Sequence, residues 1–174
     1  MSQIVTVPSE ILRTPALPVE ALDSRIQKVL VNMGKALRKA VNPTGVGLAA
    51  PQIGETLQIF MIRPQADGPI TTFINPQITK YSQRQISPTG KKGVYEGCLS
   101  LPNHYAPIKR SSSVTVKFQD ANMRFQTQVF SGFAAHVIQH EMDHLNGILF
   151  IDRALEQNSK LFRVKGDDWE EVSL

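Results

Sequence analysis

Long hydrophobic runs are missing from this chain. No stretch of eighteen apolar residues occurs anywhere in its 174 residues, which excludes a membrane-spanning helix as an expectation from sequence. The N-terminus, MSQIVTVPSEIL, lacks a basic region followed by an apolar core, so a soluble, unexported, cytoplasmic protein is expected. Internal disulfides are excluded by count, because Cys98 is the only cysteine. It is either a small buried hydrophobe or a residue kept for thiolate chemistry. Dense charge runs are also absent. Nineteen Lys+Arg against fifteen Asp+Glu give +4, scattered as RKA, KK and KR. No DNA partner is expected from that pattern. A loose attraction to polyanions such as ribosomal RNA competes with the plainer reading, a solvated surface. Neither repeats nor a long linker interrupt the chain, and its length suits one core, so residues 1–174 read as a single domain.

What is present is a set of ordinary element signals. The first 22 residues carry Pro8, Pro15 and Pro18 with little periodicity, as expected of an extended arm laid over the domain. Asp23 and Ser24 offer N-caps to a segment with Ile26, Leu30, Met33 and Leu37 at helical spacing, and Pro43 closes this amphipathic helix. TGVGLAAPQIGE is too rich in glycine and proline for regular structure, and it leads into LQIFMI, a short apolar run suited to a buried strand. TTFINP and QITKYS read as two further strands, SPTGKKG as a loop, and SVTVKFQD with RFQTQVF as a hairpin. Ser131 can cap a helix running through Leu145, with Gly147 as its stop, and a mixed-charge tail ends acidic in DDWEEVSL. The order of elements predicts an α+β fold, with mainly antiparallel sheets packed around a central C-terminal helix and an N-terminal amphipathic helix.

That last helix carries QHEMDH. Residues i and i+4 share a helix face, so His140 and His144 can aim imidazole nitrogens at one ion, while Glu141 lies about a third of a turn around. Glu141 is close enough to reach a water beside such an ion and poorly placed to bind it. An H-E-x-x-H match also occurs in unrelated proteins, where the histidines are ordinary core or surface groups. Two further stretches bear on the choice. In EGCLSLP the lone cysteine sits between a glycine and a leucine, a tight setting where a thiolate could serve as third ligand. GVGLAAPQ adds the side-chain amide of Gln52.

Taken together, GVGLAAPQ, EGCLS and QHEMDH resemble, in order and spacing, the three signature motifs of the peptide deformylases, and the VPSEILRTPALPV arm is similar to that family's N-terminal region. The resemblance implies that Cys98, His140 and His144 hold a divalent metal, with Fe²⁺ native and Zn²⁺, Ni²⁺ or Co²⁺ able to replace it. It implies that Glu141 is the catalytic acid and base, that Gln52 and the backbone N–H of Leu99 polarise the formyl oxygen, and that the substrate is a nascent formyl-methionine peptide. Val46, Gly47, Gly97, Leu99, Tyr105, Phe133, His136 and Val137 fall at family positions that wall the substrate groove. Tyr105 stands where some relatives carry arginine, and His136 where apolar residues are common. The short acidic tail departs from the long basic C-terminal helix of some members, so ribosome docking through that element is a weak expectation.

Three protein ligands leave one coordination position open, as a catalytic site requires. Three other residues adjoin the motif. Glu96 and Asp143, with Arg110 as partner, are expected to support the ligands. His136 is about one turn (roughly 5 Å) from the pair and reads as a pocket wall, His104 as a loop residue, although either could close a structural zinc site. Two rivals stay open at this point: a zinc endopeptidase, for which only the motif helix speaks, and a binding module with a closed zinc.

Overall fold

The computed structural model describes residues 3–40, 44–65, 67–86 and 95–173. Helix α1 spans Ser24–Lys39. It begins where expected, because the Asp23 carboxylate accepts a hydrogen bond from the Ile26 N–H at 2.8 Å, and Arg38 and Lys39 in its last turn suit the negative end of the helix dipole. Its buried stripe of Ile26, Val29, Met33 and Leu37 packs on Leu48 of strand β1 (Gly47–Ala49) and on Ile59 and Met61 of β2 (Ile59–Ile62). The predicted stop at Pro43 and the SPTGKKG loop lie outside the described residues.

The glycine- and proline-rich segment is more regular than expected. Gly47, Leu48 and Ala49 pair antiparallel with Ile62, Met61 and Phe60, and Ala50–Ile53 form one 3-10 turn. Edge pairing to a buried strand supplies the backbone partners that composition alone does not reveal. Strand β3 (Thr71–Tyr81) joins the two strands expected from sequence into one. Its ladder to β8 (Ser113–Gln119) slips between Ile74 and Gln77, where Pro76 has no N–H to give and Asn75 turns to φ 49°. The Asn75 side chain uses that kink to bond both the N–H and the carbonyl of Val19 in the arm, at 2.7 and 2.8 Å.

A full hairpin joins β8 to β9 (Phe125–Ser131), completing an antiparallel five-stranded sheet in the order β1-β2-β3-β8-β9. Two short strands, β4 (Gln85–Ile86) and β7 (Arg110–Ser111), pair beside it. A second sheet, β11-β10-β6-β5, is built from β5 (Glu96–Cys98), β6 (Leu101–Ala106), β10 (Leu161–Lys165) and β11 (Asp168–Val172).

Helix α2 (Gly132–Leu145) occupies the centre. Its Ala135, Val137, Ile138 and Leu145 share one core with Phe60, Phe73, Val114, Val116 and Phe118 of the five-stranded sheet. Ser131 precedes it in extended conformation but makes no side-chain capping bond. The chain leaves α2 through Gly147 at φ +71°, where a Cβ would sit 2.7 Å from the Arg13 carbonyl carbon of the arm. The α+β class with antiparallel sheets therefore holds. The tail carries more structure than its charge pattern suggested: a short helix, α3 (Phe150–Glu156), and then the β10–β11 hairpin. Cross-strand ion pairs Arg163–Glu170 at 2.9 Å and Lys160–Glu171 at 2.7 Å turn its mixed charge into strand pairing.

The arm has a specific task in this architecture. Val5 N–H bonds the Gln52 carbonyl at 2.8 Å, Val7 N–H the Ser100 carbonyl at 3.0 Å, and Ala16 N–H the Leu145 carbonyl at 2.8 Å. One strap thus ties together the three segments that carry the motifs.

Candidate metal centre and cavity

Cys98 comes from the end of β5, His140 and His144 from one face of α2. Their candidate ligand atoms lie within 4.8 Å of one another, and the Cys98 Sγ is 3.1 Å from His144 Nε2. All three are buried. Burial alone would push the Cys98 thiol up, yet the imidazoles of His144 and His140 beside it hold it well below the ordinary thiol range. That shift favours the thiolate, the form that binds metal.

His140 is oriented from behind. Its Nδ1 lies 2.6 Å from Glu96 Oε1. A carboxylate can only accept, so Nδ1 carries a proton, and Nε2, once its own proton is lost, is the lone-pair donor left for a metal. Burial opposes charge on His140, but Glu96 and the Cys98 thiolate raise its pKa well above the usual value. Two anions thus flank the imidazole, and positive charge is favoured where the three ligand atoms converge. The soft thiolate, two imidazoles and this local field fit a divalent transition metal.

Glu96 is itself anchored. Burial would raise its pKa, but the Arg110 guanidinium, followed by His140 and His136, holds it well below the carboxylate range. Arg110 grips it with Nε at 3.0 Å and Nη2 at 2.6 Å, and reaches Asp143 Oδ2 with Nη1 at 2.6 Å. Arg153 of α3 closes the chain on Asp143 at 2.6 and 3.0 Å. This bears out the grouping of Glu96, Asp143 and Arg110 expected from sequence. Arg153 was missed, since nothing in the sequence marked α3 as a neighbour of α2.

His136 sits apart from the three ligand atoms. Its Nε2 is 2.7 Å from Glu96 Oε2 but misaligned for a hydrogen bond, and neither ring nitrogen has a well-formed partner. His104 lies outside the cluster, with Nδ1 2.9 Å from the Pro102 carbonyl. Among the described residues neither histidine joins the cluster, so the closed zinc site of a binding module finds no fourth ligand.

A cavity opens in front of this centre. Every groove residue named from the sequence lines it: Val46, Gly47, Gly97, Leu99, Tyr105, Phe133, His136 and Val137, together with Gln52, Cys98, His140 and Glu141. Thr44, Tyr95 and Glu96 complete the lining. Tyr95 went unnoticed because it precedes EGCLS without periodicity. Glu141 is buried, with Oε2 lacking any hydrogen-bond partner, and burial pushes its carboxyl up to about 7 while His140 and His144 pull the other way. Gln52 is held by the Ala49 N–H, which donates to its Oε1 at 2.8 Å. Its Nε2 then points at Ser100 Oγ, 3.2 Å away, and at the Cys98 sulfur, 3.4 Å away.

Sequence comparison decides the family. The model of the polypeptide deformylase family matches residues 1–160. The chain belongs to this family. Among curated deformylases, that of Chlorobium phaeovibrioides is 35% identical over 170 residues, covering 95% of this chain and 84% of the relative. That of Dictyoglomus thermophilum is 38% identical over 158 residues, covering 91% and 95%. Two solved deformylases share the fold. The Legionella pneumophila enzyme superposes with TM-score 0.78 at 35% identity, covering 88% of this chain and 85% of that one. The Thermotoga maritima enzyme gives 0.78 at 34%, covering 88% and 97%. Deformylases are metal-dependent hydrolases that remove the N-terminal formyl group of nascent peptides, and this chain carries the fold and the Cys-His-His group for that activity. Among the described residues no helix is long and apolar enough to cross a membrane.

Proposed function

We propose that the cavity takes the formyl-methionine end of a nascent peptide and that Cys98, His140 and His144 hold one Fe²⁺, with Zn²⁺, Ni²⁺ or Co²⁺ able to substitute. When bound, such an ion supplies Lewis acidity toward a water and toward the formyl oxygen. Glu141 supplies the proton handling. Its buried Oε2 has no hydrogen-bond partner, the residue lines the cavity, and a carboxyl poised near neutrality can take a proton from the attacking water and hand it to the departing amine nitrogen. The water oxygen bonds the formyl carbon, the C–N bond breaks, and formate and a free N-terminus result. Gln52 Nε2 and the Leu99 N–H hold the oxygen on which negative charge builds; losing one such donor typically costs about 10² to 10³ in rate.

Around them, Val46, Gly47 and Gly97 offer backbone to the peptide. Phe133, His136 and Val137 wall the same groove beside the methionine side chain, and Tyr105 stands at its rim. The arrangement works as one catalytic domain over residues 1–174, in the cytoplasm, on chains emerging from the ribosome, toward which a net charge of +4 gives at most weak attraction. The observation that carries this reading is the buried, partnerless Glu141 oxygen beside a thiolate and two imidazoles. Formate release from formyl-Met-Ala-Ser, measured anaerobically beside metal analysis, tests it. Turnover in proportion to iron content is the expected result. Metal-replete protein without formate release would overturn the activity, and fully active, air-stable protein containing zinc alone would overturn iron.

A further inference from the structure

The second sheet has two unlike faces. One is turned toward α3: Leu161 packs with Phe150, Ala154 and Cys98 in a small core. The opposite face gathers aromatic rings. Phe162 pairs across the ladder with Tyr105, and Trp169 pairs with Val164 one strand further out. The Trp169 ring lies 5.3 Å from that of Tyr105 and 5.4 Å from that of Tyr95, and Phe162 stands 5.8 Å from Tyr95. Tyr95 and Tyr105 line the cavity, so this cluster begins at the cavity wall and runs outward from it. Trp169 remains 52% exposed and Tyr95 39% exposed, which leaves an open apolar shelf at the mouth. Glu170 and Glu171 of the hairpin are held in ion pairs, by Arg163 of β10 and by Lys160 just before that strand. The hairpin also follows residue 160, where the family match ends.

We propose that the β10–β11 hairpin extends the cleft, and that Trp169 with Tyr95 and Tyr105 binds one of the two residues after the methionine, favouring an apolar or aromatic side chain there. This rests on the deformylase reading of the cavity. An extended peptide advances about 3.4 Å per residue, so the two residues after the one seated in the cavity reach the neighbouring rings. Half-exposed aromatics at the end of a catalytic cleft gain most from a flat or apolar partner, by about three- to tenfold in affinity.

Trp169 is the sole tryptophan, so its fluorescence reports directly on the shelf. The test titrates the intact metal-loaded enzyme with the product peptides Met-Ala-Ser, Met-Ala-Phe and Met-Phe-Ser, and measures formate release from their formyl forms. The expected result is a shift in Trp169 emission that saturates with a phenylalanine-containing peptide at about three- to tenfold lower concentration than with Met-Ala-Ser. The preference should appear mainly in KM. Trp169→Ala should erase the ratio between phenylalanine and serine peptides, and Trp169→Phe should restore most of it. Unchanged emission on saturation, or a ratio unaffected by Trp169→Ala, overturns the shelf while leaving the deformylase reading intact. An emission shift without any formate release has the opposite meaning: the shelf stands and the activity falls.

Discussion

Gly47 and Glu141 touch so closely that no side chain fits between them. A Cβ built on Gly47 would sit 2.7 Å from Val137 Cγ1 and closer still to the Glu141 carboxylate. Strand β1 therefore passes Glu141 as bare backbone. Gly47→Ala is expected to swing the Glu141 carboxylate aside, since its flexible end yields more easily than Val137 or the strand. Folding should survive, at a cost of about 1–3 kcal/mol for overpacking. Formate release should fall by about 10²-fold or more, because the proposed proton carrier is displaced. Metal content and turnover measured together check this, and a fully active Ala variant would show that Glu141 tolerates displacement.

Glu141→Ala separates proton handling from metal holding. Glu141 lies outside the three-residue cluster, so the variant should keep its metal while losing about 10² to 10⁴ in kcat. Parallel loss of metal and activity would instead make Glu141 a ligand.

Cys98→Ser replaces a soft anion by a neutral hydroxyl. The variant should bind its ion weakly, with occupancy collapsing on dialysis against a chelator that leaves the parent protein loaded. Since Cys98 is the only thiol, the same reasoning predicts that iron-loaded protein decays in air faster than nickel- or cobalt-loaded protein. Full occupancy in the Ser variant would remove Cys98 from the ligand set.

The parts of the fold that were legible in sequence are those governed by local rules. Asp23 capping α1, the β8–β9 hairpin and the position of α2 follow from side-chain chemistry within a few residues. His140 and His144 share a face because α-helical geometry demands it. The hidden parts depend on partners distant in sequence. β1 is a strand only because β2 accepts it, and the kink of β3 at Asn75 is tied to Val19, 56 residues away. Arg153 escaped notice for the same reason, being ten residues from Asp143 on another helix. The aromatic face of the C-terminal hairpin lay in a stretch whose charges drew attention first.

Glu96 offers the most discriminating test of the buried charge chain. It accepts from His140 on one side and from Arg110 on the other, and Arg110 continues to Asp143 and Arg153. Glu96→Gln keeps the shape but removes the charge. The amide can no longer fix the His140 tautomer or balance a buried guanidinium, so two effects should separate by measurement. Metal affinity should fall by about 10- to 100-fold, the usual cost of losing the group behind a ligand histidine. Stability should fall by up to about 3–5 kcal/mol, because Arg110 keeps Asp143 but loses its bidentate partner. Arg153→Gln makes the comparison, since Arg153 is partly exposed and joins the buried charge chain through Asp143. It should cost well under half as much stability and leave metal affinity nearly unchanged. If Glu96→Gln binds metal as tightly as the parent while unfolding more easily, Glu96 serves only the core, and the orientation of His140 must come from the helix alone.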